Sequence, residues 1–497
     1  MKAKSIMVQG TMSNAGKSIL TAALCRIFKQ DGYRVAPFKS QNMALNSFIT
    51  RAGLEMGRAQ VVQAEAAGVE PDVRMNPVLL KPVRDSGSQV IVNGEVLDTI
   101  SARNYYQMKA ALKPRILEAY ESLASEYDVI VLEGAGSPAE LNLNSDDFVN
   151  MGMAKMANAP VVLVGDIDRG GVFAQLYGTV KLLPDSEREM VKALIVNKFR
   201  GDITLFDDGI RILEEICGVP VAGVVPYLNV DIDDEDSLSE RMTRRMSGAK
   251  LDVAVIYLPH ISNFTDFAAL EATPGVGVRY VREPYDVGDP DLLIIPGTKN
   301  TIGDLLRLRE SGLEAVIKRY SSQGKTILGI CGGYQMLGRE IRDMEGAEVG
   351  GSIHGMGLLP ITTEFVTEKH RTRVTATALE SGGSLAALTG VNLEGYEIHM
   401  GVTTLGEGAK PLLRLSNGEL DGCRLGNIYG TYLHGFFDSA ECRTAVLTAL
   451  ASAKGVTLDG EAFDLHSYKE QQYNLLAHGV REALDMRLIY RILEEGV

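Results

Sequence analysis

Two stretches carry residue types that packing alone does not require. The first is Thr326-Ile-Leu-Gly-Ile-Cys331-Gly-Gly-Tyr-Gln-Met-Leu337. An apolar run meets Gly329, Gly332 and Gly333 before a helix-period pattern resumes, so the spacing predicts a buried strand, a sharp turn carrying Cys331, and a helix. Small neighbours let the backbone turn tightly and the helix N-terminus favours thiolate over thiol, which makes Cys331 a candidate nucleophile. A lone cysteine is most often one more small buried residue; the flanking Gly-x-Cys-Gly-Gly pattern argues against that here. Gln335, four residues on, is placed to contact an amide substrate. An oxyanion needs two backbone donors: the N–H of Gly332 is one, and the turn Pro296-Gly297-Thr298-Lys-Asn-Thr301 can supply the other. The base should be a histidine reached through space. Of seven histidines, His434 in Gly430-Thr-Tyr-Leu-His434-Gly-Phe-Phe437 is preferred, because it follows a short apolar strand and precedes glycine; His399 is second.

The other stretch is Gly10-Thr-Met-Ser-Asn-Ala-Gly16-Lys17-Ser18, between an apolar strand and a helix. Backbone N–H groups of Gly10, Thr11, Ser13, Asn14, Ala15 and Gly16 would face phosphates there, with Lys17 neutralising charge and the Ser18 hydroxyl helping to hold Mg²⁺. Five residues separate Gly10 from Gly16 where the usual motif has four. Glu133 in Glu133-Gly-Ala-Gly-Ser-Pro138 ends a later strand and is the candidate second Mg²⁺ ligand. Lys39 is a candidate second phosphate contact, and Asn197 a candidate for reading a nucleotide base. Asp166 and Asp168 fall at another strand's carboxyl edge, where open α/β sheets bind ligands.

Positioning these groups takes two α/β sheets. Apolar segments at Ser5–Gln9, Val35–Phe38, Asp128–Leu132, Ala159–Val164, Ala193–Val196 and Val221–Val225, with stretches between them mostly long enough for helices, predict a parallel sheet covered on both faces. A second series starts at Leu251–Tyr257 and continues through Leu292–Pro296 and Thr326–Ile330. Beyond Gly350 the chain turns glycine-rich and strand-like, and from about Ser439 it is largely helical. The domain expectation is a phosphate-loop α/β domain over 1–230, a charged linker over 231–250, a second α/β domain carrying Cys331 over 251–440, and a C-terminal helical extension over 441–497.

The 497 residues, 45% hydrophobic and 23% charged, describe ordinary globular chemistry. A formal net charge of −14 argues against a nucleic-acid or anionic-membrane surface. Five cysteines without CxxC pairing suggest neither a disulfide framework nor a zinc site and fit a reducing cytoplasm. No run approaches the ~18 apolar residues of a membrane span, and the N-terminus carries no cleavage motif.

The sequence resembles the cobyric acid synthase family of glutamine-hydrolysing amidoligases over nearly its whole length. The resemblance is carried by Lys39–Ser47, Leu132–Leu143, Val164–Phe173, Asn197–Asp202, His260-Ile-Ser-Asn-Phe-Thr-Asp-Phe267, the Cys331 turn and Tyr432–Phe437. It implies a dethiobiotin-synthetase-like domain joined to a class I glutamine amidotransferase-like domain. The implied reaction is ATP-dependent amidation of the b, d, e and g carboxylates of adenosylcobyrinic acid a,c-diamide, through acyl phosphates and ammonia from glutamine. One departure stands out. Many relatives of the amidotransferase class place a glutamate two residues after the histidine, and here that position is Phe436, so the group orienting His434 is left open. The nearest rival is cobyrinic acid a,c-diamide synthase, disfavoured by Gln41–Asn46. A partition-type ATPase would carry an early second lysine where this chain has Met12.

Overall fold

The computed structural model describes residues 3–84, 87–143, 147–232, 248–348, 350–458 and 463–497. It contains two compact units. The first comprises Met1–Ala44, Glu55–Asp236 and His466–Val497; the second comprises Leu45–Leu54 and Ser237–Leu465.

The first unit is built on six parallel strands in the order Val221–Pro226, Val191–Phe199, Val161–Asp166, Lys4–Gly10, Val129–Glu133, Val35–Phe38. Their near-continuous apolar runs follow from burial of both sheet faces. Ile6, Val8, Val131 and Val164 are fully enclosed, and the helix Lys17–Gln30 adds Leu20, Leu24 and Phe28 to the same core. The long connection between Phe38 and Val129 is not purely helical. It forms a smaller four-stranded sheet of Gln41–Met43, Val78–Arg84, Gly87–Val92 and Glu95–Ser101 beside the helices Arg58–Ala67 and Ala102–Glu126.

The expected extension over 441–497 is instead divided. The helix Ala440–Lys454 buries Cys442, Val446, Leu447 and Leu450 in the second unit's core. The helices Leu465–Ala483 and Met486–Glu495 bury Tyr473, Leu476, Val480, Ile489, Ile492 and Leu493 against Ile6, Val8 and Leu24 of the first unit. Each such side chain contributes about 1.5–3 kcal/mol, and an Arg26–Glu470 contact of 2.6 Å fixes the packing. Most of the expected 231–250 linker lies outside the described residues.

The second unit has five parallel strands, Val276–Val281, Leu251–Ile256, Leu292–Ile295, Ile327–Ile330 and Ile428–Thr431, with Cys423–Leu425 antiparallel at one edge. A further sheet is dominated by the long antiparallel pair Ile361–Ala378 and Asn392–Leu405. Among the described residues, no helix is long and apolar enough to cross a membrane.

Candidate functional site

In the first unit, the candidate groups converge at the carboxyl edge of the parallel sheet. The loop after Gly10 uses left-handed backbone at Asn14 (φ 62°) and Gly16 (φ 96°) before entering the helix at Lys17. Gly16 has no substitute here: a Cβ would fall 2.0 Å from the Asn197 amide nitrogen. Asn197 donates from Nδ2 to the Ala15 carbonyl at 2.9 Å, so its amide nitrogen braces the loop. Thr11 donates from Oγ1 to Gln175 at 3.1 Å, and Ser13 is exposed at the loop's crest. Lys17 Nζ donates to the carbonyls of Met12 (2.8 Å) and Gly136 (3.1 Å), which joins the loop to the turn after Glu133.

Glu133 is the electrostatic centre of this edge. It is buried, and it accepts hydrogen bonds from Ser18 Oγ (2.7 Å), Lys39 Nζ (2.8 Å) and Gln63 Nε2 (2.6 Å). Burial opposes its charge, but the Lys39 ammonium and the hydrogen bonds outweigh that and hold the carboxyl below its ordinary value. Lys39 is therefore paired to Glu133, where the sequence suggested a phosphate contact. Gln63 escaped sequence reasoning; the available signal was a pair of amides, Gln60 and Gln63, on a helix whose other buried residues are apolar. The Ser18 hydroxyl and Glu133 carboxylate form the kind of oxygen pair Mg²⁺ accepts. Asp166 pairs with Lys198 at 3.2 Å, and Lys198 also reaches the Asn14 carbonyl at 2.6 Å. Asp168 is occupied by Arg200 at 2.7 Å.

In the second unit, the strand Ile327–Ile330 ends at Cys331, whose backbone (φ 51°, ψ −110°) is strained for a residue with a side chain. The helix Gly332–Leu337 follows at once, so the turn has the strand-to-helix geometry of a nucleophile elbow. Its closeness to the turn Pro296–Thr298 demands glycine: a Cβ on Gly332 would lie 2.7 Å from Thr298 Cγ2 and 3.1 Å from the Thr298 nitrogen. The two turns proposed to carry oxyanion donors are thus in contact. Gly297 is anchored by Ser262, whose N–H donates to its carbonyl at 3.0 Å, and a Cβ on Gly297 would come within 3.2 Å of His434 Cε1.

The Cys331 sulfur lies 3.7 Å from the Ile398 carbonyl oxygen and is among the groups that act electrostatically on His434. The His434 Nδ1 lies 2.7 Å from Asp266 Oδ2, while the other carboxylate oxygen accepts from the Gly435 N–H at 3.0 Å. Burial works against a charge on His434, but Asp266 and Cys331 overcome it and raise the imidazole to about 10. Asp266 is the orienting group that the sequence left open. It comes from the 3-10 turn Phe264–Phe267, within the His260–Phe267 stretch that helped to carry the family resemblance. His399 is placed differently: Nδ1 bonds the Gly401 carbonyl at 2.8 Å, and burial together with His370 holds it down to about 3, a poor proton acceptor. Gln335 is buried, with its Oε1 accepting from Thr301 (3.1 Å) and its Nε2 donating to the Tyr432 hydroxyl (3.2 Å). It holds the elbow helix to its neighbours.

Comparison with known proteins agrees with this pairing of sites. Residues 6–238 match the family described as CobQ/CobB/MinD/ParA nucleotide binding domain, and residues 252–442 match that described as CobB/CobQ-like glutamine amidotransferase domain. The cobyric acid synthase of Ruminiclostridium cellulolyticum is 58% identical over 503 residues, covering 100% of this chain and 98% of the relative. That of Lachnoclostridium phytofermentans is 55% identical with 100% of both chains covered, and that of Citrobacter koseri 52% identical with 99% of both covered.

Proposed function

The chain belongs to the cobyric acid synthase family, and from that premise we propose how its own residues carry out glutamine-dependent amidation in cobalamin biosynthesis. The substrate is adenosylcobyrinic acid a,c-diamide, amidated at its b, d, e and g carboxylates in the cytoplasm. The observation that carries this reading is the coexistence in one chain of a phosphate loop ending in Lys17-Ser18 and a Cys331–His434–Asp266 constellation.

A carboxylate is a poor acyl donor until its oxygen leaves as phosphate. Loop N–H groups and Lys17 hold the phosphates of ATP, a carboxylate oxygen of the corrinoid attacks the γ-phosphorus, and ADP departs to leave an acyl phosphate. Ser18 and Glu133 would hold Mg²⁺, which supplies neutralisation of phosphate charge. Asn197 supports the loop that makes the phosphate cradle. At the other site, the proton of Cys331 already resides on His434, the sulfur attacks the glutamine amide carbon, and His434 delivers that proton to the departing ammonia. The N–H groups at Gly297 and Gly332 stabilise the oxyanion, and Asp266 keeps the imidazole in the useful tautomer and orientation. Water then hydrolyses the glutamyl thioester. Ammonia attacks the acyl phosphate carbon, phosphate leaves, and the carboxamide remains.

The test is mass analysis of corrinoid products formed with ATP, Mg²⁺ and glutamine. Amidation of the a,c-diamide at its b, d, e and g carboxylates is expected. Amidation of cobyrinic acid at a and c alone would assign the chain to the preceding step instead.

A further inference from the structure

We infer that His370, Glu397 and His399 form a binding site for one divalent transition-metal ion of the Zn²⁺ type. The three come together by strand geometry. Glu397 and His399 are two residues apart on Asn392–Leu405 and so share a face, and His370 on Ile361–Ala378 is directly opposite His399 in the antiparallel register. One ligand atom from each lies within 4.8 Å of the others. Glu397 presents Oε2 to His370 Nε2 at 3.3 Å and Oε1 to His399 Nε2 at 4.0 Å.

The surroundings are those of a supported site. Because His399 Nδ1 is engaged with the Gly401 carbonyl at 2.8 Å, its proton belongs on that nitrogen and the Nε2 lone pair faces Glu397. A ligating histidine ordinarily carries such a partner on its other nitrogen. Its ring is further fixed by stacking on Tyr432, with centroids 3.8 Å apart. Two imidazoles and a carboxylate match zinc better than calcium or magnesium, and three protein ligands leave a fourth position. That position opens into a cavity of about 870 Å³. Glu368, Glu397, Glu419 and Asp421 outnumber Lys369 and Arg371 on its wall, so the field favours a cation. Closing the donor separations, 4.8 Å at most, to about 3.3–3.6 Å gives the spacing that tetrahedral bonds of about 2.0–2.2 Å require.

The full-length chain, stripped with chelator, is titrated with Co²⁺ and then with Zn²⁺. One Co²⁺ per chain is expected, with visible absorption of a four- or five-coordinate nitrogen and oxygen site that Zn²⁺ abolishes. His370 is 44% exposed at its side chain, so His370→Ala should fold and retain glutaminase activity. Its Co²⁺ affinity should fall at least about 100-fold, since loss of even a supporting residue costs 10–100-fold. Glu397→Gln is the second variant and should behave alike. Absence of stoichiometric binding, unchanged affinity in folded His370→Ala, or a sulfur-to-cobalt charge-transfer band placing the ion at a cysteine would each overturn the assignment.

Discussion

Asp266 and His434 are 168 residues apart in the chain, yet their side chains meet at 2.7 Å in the buried heart of the second unit. Phe436 stands two residues after His434, and the carboxylate arrives from the turn Phe264–Phe267 instead. Asp266→Asn keeps the shape but removes the charge that opposes burial. Glutaminase turnover should fall about 10²–10⁴-fold, while synthesis supplied with free ammonia persists. The parent holds His434 protonated until pH approaches about 10, so an alkaline limb governed by that group should move toward acid in the variant. A pH–rate profile for glutamine hydrolysis checks both.

The same linkage has a stability side. His434 is raised above its ordinary value, so the stabilisation from its pair with Asp266 is fully present below about pH 6.5 and is lost as pH rises through about 10. Thermal unfolding of the parent should decline across that window more steeply than unfolding of Asp266→Asn.

Lys39 and Glu133 form a pair whose side chains are 5% and 1% exposed. Lys39→Met leaves a buried carboxylate without its cation, and breaking such a pair costs about 3–5 kcal/mol. Because Glu133 is held below its ordinary value, the parent keeps this stabilisation above about pH 4.5 and loses it as pH falls. Denaturant melts at neutral and acid pH should show the variant's deficit shrinking on acidification.

Gly16→Ala forces a side chain onto φ 96° and into the Asn197 amide. Left-handed backbone strain alone is worth about 1–3 kcal/mol, so nucleotide affinity should weaken by about tenfold or more by calorimetry. Relieving the clash with Gly16→Ala/Asn197→Ala should not restore it, since the backbone conformation remains unfavourable.

Both reactive centres were legible because each is a local pattern. Gly-x-Cys-Gly-Gly and Gly-Lys-Ser encode their turns within a dozen residues, and the strands feeding them read as unbroken apolar runs. Asp266 was not legible in that way, since nothing local links it to His434 and the link exists only once the parallel sheet brings the segments after Leu251–Ile256 and Ile428–Thr431 to the same edge. Gln63 was hidden for the same reason. The last two helices looked like an appendage because amphipathic periodicity shows that a face is buried without showing against what. Here the partners are Ile6, Val8 and Leu24, at the far end of the sequence.

The division of labour predicts that Lys17→Ala, which removes the loop's cation, suppresses amidation with glutamine and with ammonia alike. Product formation by mass analysis with each nitrogen source should fall together, by at least about 10²-fold.

The central claim, that Cys331 serves only to release ammonia for a separate ATP-dependent site, is tested most directly by Cys331→Ala assayed with ATP, Mg²⁺ and the corrinoid diamide. The account predicts loss of glutamine-supported product by at least about 10³-fold and near-parental product with ammonium salt. A folded Cys331→Ala protein that fails with ammonium as completely as with glutamine would contradict it.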